Sequence, residues 1–157
     1  MHVPKKVAVI GGGPAGAFAA SELARAGREV VLFDEKLAWE KPCGGGLTDK
    51  AIARWPFLRE AQAERNWISH CELIAPSGRQ VSFQLDRQIA IFSRKVLNGL
   101  LLDRASQAGA EVRHARVLSI ERAASGWSVA TSAETFSADF VVIATGARNS
   151  FRERFSP

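Results

Sequence analysis

The sequence predicts an α/β fold: a central parallel sheet with helices and an added antiparallel β-meander. Three observations carry that expectation. An apolar strand, Val7–Ile10, runs into a glycine loop, Gly11-Gly12-Gly13-Pro14-Ala15-Gly16, and then into a helix. A second strand, Glu29–Phe33, follows within the roughly thirty residues of a parallel βαβ unit. Strand-like segments separated by turn residues fill 111–144.

Each element has a local reason. Val7–Ile10 is wholly apolar and rich in β-branched residues, which suits a strand buried on both faces. Pro14 fits the first turn of a helix, where its missing N–H costs little. Ala15, Phe18, Ala19 and Leu23 recur at helical spacing, and Gly27 closes the helix. The second strand ends at Asp34. Residues 35–50 break the pattern with Trp39, Pro42 and Gly44–Gly46. A short helix is expected from Thr48 to about Arg54, stopped by Pro56, and 57–70 reads as helix or loop. Cys71–Ala75 and Gln80–Leu85 form hairpin strands around Pro76-Ser77-Gly78. Ser93 caps a helix running to Ala108, with Leu97, Leu100, Leu101 and Ala105 on one face and Gly109 ending it. Gly99 inside that helix costs about 1 kcal/mol against Ala, which argues for close packing there. Strands are then expected at Glu111–His114, Val117–Arg122, Trp127–Thr131, Thr135–Ala138 and Phe140–Ala144. Residues 148–157 are polar and show no apolar period.

Composition removes several classes. The chain has 157 residues, 46% hydrophobic and 24% charged, which excludes disorder as its main state. Its 13 glycines have no fixed period, excluding a collagen-like chain; four fall within 11–16 and three within 44–46. The net charge is +5, but the basic residues are scattered among acids. A solvated surface rather than a nucleic-acid footprint is therefore expected. Cys43 and Cys71 are not paired as CxxC, and His2, His70 and His114 are dispersed, so no metal site is expected. Two such thiols suit a reducing, cytoplasmic setting. The apolar run after Lys5 and Lys6 is too short for a signal peptide. No segment reaches the roughly 18 apolar residues of a membrane span.

Gly11–Gly16 matches G-x-G-x-x-G in its required context, after a buried strand and at the start of a helix. Gly11 allows the tight turn. Gly13 lets backbone approach a pyrophosphate, and Gly16 lets helix and strand pack closely. The helix start offers N–H donors and a positive dipole end to phosphate. Gly11, Gly13, Pro14, Ala15 and Gly16 are thus candidate cofactor-binding residues in a Rossmann-like FAD/NAD(P)-binding fold. Asp34, 18 residues after Gly16, suits the ribose hydroxyls and would repel a 2′-phosphate, disfavouring NADP. Glu35 is the neighbouring candidate.

The second glycine cluster, Lys41-Pro42-Cys43-Gly44-Gly45-Gly46-Leu47, is costly to order. It reads as a close approach to a flat ligand or to backbone, or else as a linker. Together with the first loop and Asp34, it resembles the geranylgeranyl reductase family of flavoproteins, within the oxidoreductases shaped like para-hydroxybenzoate hydroxylase. The resemblance extends over 7–147. Ser93-Arg94-x-x-Leu97, followed by Ala108-Gly109-Ala110-x-Val112, is similar to that family's Arg-bearing helix. Ala144-Thr145-Gly146-Ala147 resembles its ATG motif. Asn98 departs from the acidic residue common there.

The resemblance implies FAD as cofactor. It implies Arg94 at the FAD phosphate, the Val117 backbone near the adenine, Gly44 and Gly45 near the flavin ring, and Ala144, Thr145 and Gly146 beside the cofactor. Cys43, the one redox-capable side chain near that loop, reads as a catalytic candidate or as small-residue packing. The implied enzyme is an FAD-dependent oxidoreductase that reduces isoprenoid double bonds. Its partners would be an apolar isoprenoid substrate and an electron donor, reduced nicotinamide or ferredoxin, with peripheral membrane contact if the substrate is a lipid. The alternatives are an FAD monooxygenase or halogenase, and a non-catalytic dinucleotide-binding module. The family is about two to three times longer and carries a later Gly-Asp motif and a substrate sheet. Residues 1–147 are accordingly expected to be the N-terminal, incomplete FAD-binding domain, with a hairpin excursion around 71–85, and 148–157 the start of a remainder that is cut short. The resemblance thus implies that these 157 residues alone lack parts of the enzyme.

Overall fold

Lys6–Ile10 (β1) is the strand around which the parallel sheet is built. A computed structural model describes residues 5–42, 45–147 and 151 of the chain. After β1 come the helix Pro14–Arg25 (α1) and the strand Glu29–Asp34 (β2). Pro14 opens α1, and Gly27 closes it with φ +74° while its amide bonds the Ala24 carbonyl at 2.9 Å. Next are Gly45–Leu47 (β3), Asp49–Arg54 (α2), Phe57–Glu60 (α3), Arg65–Ile74 (β4), Gln80–Phe92 (β5) and Arg94–Gln107 (α4). The chain then forms Glu111–His114 (β6), Val117–Arg122 (β7), Trp127–Thr131 (β8), Thr135–Ala138 (β9) and Phe140–Ile143 (β10).

Contacts divide the chain into two units, residues before Glu40 together with those after Leu97, and Glu40–Leu97. In the first, the strands run β10-β1-β2-β6, all parallel. Ala8, Ile10, Val31 and Phe33 project from one face of that sheet. They bury with Ile120, Val129 and Ala138 of the antiparallel meander β7-β8-β9. Val7, Val9, Val30 and Leu32 alternate to the other face and are also buried, which explains the unbroken apolar runs. α1 packs on β1 and β2 and is buried through Gly16, Ala17, Ala20 and Ser21. Phe151, within the segment whose sequence shows no apolar period, is buried in the meander cluster.

The second unit is an antiparallel sheet, β3-β5-β4, with α2 and α3. Two readings of the sequence need correction here. The stretch 57–70 is neither all helix nor loop: α3 is one turn, and β4 begins at Arg65. Arg65 is the reason for the sharp stop. Its guanidinium donates to the carbonyls of Arg59 (2.5 Å), Ala61 (2.7 Å) and Ala63 (3.1 Å), terminating α3 and starting the strand. The hairpin is also longer than its apolar alternation suggests, because β5 continues to Phe92 to pair with β3. A third correction concerns α4. A Cβ on Gly99 would meet only Ala38 Cβ, at an ordinary 3.8 Å, so the expected tight packing there is absent.

Candidate functional site

The carboxyl ends of the four parallel strands place Ala144, Gly11, Asp34 and Ala115 side by side. Ala144 N donates to Ile10 O at 2.8 Å, and Gly11 N to Phe33 O at 2.8 Å. Ala115 N donates to Asp34 O at 3.1 Å. The chain leaves β1 toward β2 on one side, while β10 returns on the other, so the Gly11 turn sits where the strand order reverses. Such crevices bind ligands in open α/β sheets.

The glycines of the first loop are required for different reasons. Gly11 has φ +105°, and a Cβ on it would stand 2.6 Å from Ala144 O and 3.1 Å from Thr145 Cα. The Ala144-Thr145 backbone is therefore pressed against the loop. A Cβ on Gly16 would overlap the Gly11 carbonyl oxygen and lie 3.2 Å from Ala144 Cβ. Gly13 is the opposite case: its φ is −68° and a Cβ there would meet nothing within 4 Å. Neither strain nor crowding among the described residues demands glycine at 13. No side chain caps the start of α1, and its first turn holds no acidic residue. The Ala15 and Gly16 amides precede the first intrahelical bond, Ala17 N to Gly13 O. An uncapped helix start with open space beside Gly13 fits a pyrophosphate.

Asp34 is held more firmly than its place in the sequence shows. One carboxylate oxygen accepts from Gly12 N at 2.6 Å, the other from Lys36 N at 2.8 Å and Leu37 N at 2.6 Å. Gly12 is needed for this, since a Cβ would stand 2.9 Å from Asp34 Cβ. The sequence singled out Gly11 and Gly13 but not Gly12, whose role depends on a residue 22 positions away. Glu35 is exposed; its carboxylate lies 3.6 Å from Arg116 Nε, and its carbonyl bonds His114 Nε2 at 2.7 Å. Val117 is half-buried at the start of β7, two residues beyond the Asp34–Ala115 bond. The Thr145 hydroxyl is buried with no partner among the described residues, and Gly146 is exposed with φ +77°. The structure thus brings Gly11, Gly13, Pro14, Ala15, Gly16, Asp34, Glu35, Val117, Ala144, Thr145 and Gly146 into one unit.

Arg94 belongs to the second unit, at the first position of α4. Its Nε is buried without a partner among the described residues. Asn98, one turn on, is 1% exposed with its Oδ1 likewise unpartnered. Cys43 and Gly44 lie outside the described residues. Gly45 pairs with Phe92, and a Cβ there would meet the Phe92 carbonyl oxygen at 2.5 Å. Its glycine is therefore explained by approach to backbone in this sheet.

The family model for pyridine nucleotide-disulphide oxidoreductases matches residues 5–152. The chain belongs to the pyridine nucleotide-disulphide oxidoreductase family. Within this family the resemblance seen in the motifs holds up. Geranylgeranyl diphosphate reductase of Synechocystis sp. is 35% identical over 120 residues, covering 74% of this chain and 29% of that protein. The chain thus spans under a third of that relative's length. Solved structures agree on the fold. A geranylgeranyl bacteriochlorophyll reductase-like protein of Thermoplasma acidophilum superposes with TM-score 0.72 at 22% identity, over 91% of this chain and 39% of its own. The p-nitrophenol 4-monooxygenase PnpA of Pseudomonas putida does so with TM-score 0.79 at 19% identity, over 99% and 44%. A halogenase PltM variant in complex with FAD gives 0.74 at 18%, over 97% and 36%. That halogenase structure holds FAD, the cofactor expected for this chain from its sequence. Among the described residues, no helix is long and apolar enough to cross a membrane.

Proposed function

We propose that residues 1–147 are the FAD-holding region of a geranylgeranyl reductase-like oxidoreductase, one whose whole protein reduces isoprenoid double bonds. The observation that supports it most is the Gly11–Gly16 loop, with an uncapped α1 and open space at Gly13, in a chain 35% identical to a geranylgeranyl diphosphate reductase. The Ala15 and Gly16 amides would receive the pyrophosphate. The remaining lone pairs of Asp34 would accept from ribose hydroxyls, with Glu35 beside it. The Val117 backbone would flank the adenine, and Ala144, Thr145 and Gly146 would line the cofactor next to Gly11. Arg94 would pair with phosphate through its guanidinium, whose buried Nε lacks a partner among the described residues. Bound FAD would supply hydride chemistry. The substrate would be an isoprenoid lipid or another apolar molecule, met at the membrane periphery when it is a lipid. The electron donor would be reduced nicotinamide or ferredoxin.

The test is to assay the full-length protein with geranylgeranyl lipids and a reductant. Saturation of double bonds is expected, and its absence overturns this reading. An FAD monooxygenase is the second reading, favoured by the superposition on PnpA. Oxygen-dependent hydroxylation by the full-length protein would select it.

A further inference from the structure

The segment entering the second glycine cluster is tied to the start of α4 by one carboxylate. Glu40 Oε1 accepts from the Arg94 amide at 2.9 Å. Its Oε2 accepts from the Ser93 hydroxyl at 2.8 Å and the Lys95 amide at 3.4 Å. Its own neighbour, the Lys41 amide, also bonds to it. Ser93 Oγ in turn accepts from Val96 N at 3.2 Å, as a helix cap does. Three amides and a hydroxyl thus converge on this carboxylate, all but the Lys41 amide from more than 50 residues later in the chain and all within the second unit. This occupancy bears on Arg94. The helix-start amides that attract anions are taken by Glu40. The negative carboxylate also offsets the unfavourable placement of Arg94 at a positive dipole end.

We propose that Glu40 is a positioning residue, a clasp that holds Arg94 at the head of α4 and anchors the Lys41-Pro42 approach to the glycine cluster. The Arg94 part rests on the phosphate role given to Arg94 above; the clasp itself rests on the four bonds alone. Gln fits poorly at this position. It has one acceptor oxygen, and its amide group would turn two hydrogens toward donors already present.

Two measurements separate these ideas. The first uses no flavin: amide hydrogen exchange of the 157-residue chain, wild type against Glu40→Ala and Glu40→Gln. Faster exchange at Arg94 and Lys95, by about fivefold to tenfold for the loss of a cap, is expected with the rest of α4 unchanged. Unchanged exchange at both amides overturns the clasp. Because Glu40 is exposed, both variants are expected to keep the fold, and circular dichroism checks this. The second is a double-mutant cycle on FAD affinity in the full-length protein, read by flavin fluorescence. Arg94→Ala and Glu40→Ala are each expected to weaken binding, and the pair no more than Arg94→Ala alone. Full additivity would show that Glu40 does not act through Arg94, overturning its positioning role. If Arg94→Ala leaves affinity unchanged, the phosphate role of Arg94 falls, and the positioning of Arg94 for the cofactor falls with it. The exchange data then decide the clasp.

Discussion

At the scale of single residues, Gly11 and Gly13 do opposite work although both belong to one motif. Gly11→Ala forces a Cβ into a positive-φ turn and onto the Ala144 carbonyl. It is expected to cost at least about 2 kcal/mol in chemical denaturation, whether or not a nucleotide is present. The Cβ of Gly13→Val meets no described atom within 4 Å, and the change is expected to cost about 1 kcal/mol through the weakened helix cap, yet to abolish FAD binding in a flavin titration. A Gly13→Val protein that folds and binds FAD normally removes the pyrophosphate from this loop. Asp34→Asn is a third case. Two separate oxygens now receive three amides, and asparagine offers one acceptor. A loss of about 1–3 kcal/mol is expected from the unsatisfied amides, measurable by denaturation without cofactor. The motif glycines and Asp34 were legible because each lies a short, fixed distance along the chain from a strand end. Gly12 and Glu40 were not, since their partners lie 22 and more than 50 residues away and leave no local pattern.

Among the elements, the start of α4 and the strand β6 each hold an acid-sensitive carboxyl. Bonds from Ser93 and the Arg94 amide hold the Glu40 carboxyl below the usual range, and the bond from Arg113 does the same for Glu111. Arg113 also pairs with Glu134 and lies over the rings of Phe33 and Phe136. Both carboxyls have depressed folded-state pKa values, so their stabilisation is fully present above the ordinary value of 4.5. It is lost as pH falls below that through the lowered folded values. Hydrogen exchange at Arg94 and Lys95 is expected to become less protected over that acid range in wild type, and to lack this pH response in Glu40→Ala. The helix itself was readable from the Ser93 cap, the Leu97–Leu101–Ala105 face and Gly109. The hairpin was read too short, because alternation is weak where it is exposed: Leu73, Val81 and Phe83 are outward-facing large apolar residues, and only the β3 pairing identifies the far end of β5 as strand. β4 was missed at its start because Arg65, which ends α3, reads in sequence as one more scattered cation.

For the whole molecule, the parallel sheet and its meander followed from motif order, and the family model matches 5–152, which spans both. The division at Glu40 and Leu97 was not readable, because α4 runs through one of the two boundaries as a continuous helix. Saturating FAD, at about 100 times its Kd, is expected to stabilise the full-length protein by about 2.7 kcal/mol. Differential scanning calorimetry would register this as a Tm several degrees higher, and Gly13→Val would cancel the gain. The bond from Gly12 to Asp34 also bears on the speed of capture. It holds the turn after β1 in shape through the protein's own atoms, so the loss of chain entropy there is expected to fall on folding rather than on association. A dinucleotide meets a rigid mould, and its on-rate is expected to follow solvent viscosity, with no slow isomerisation of the loop in stopped-flow traces.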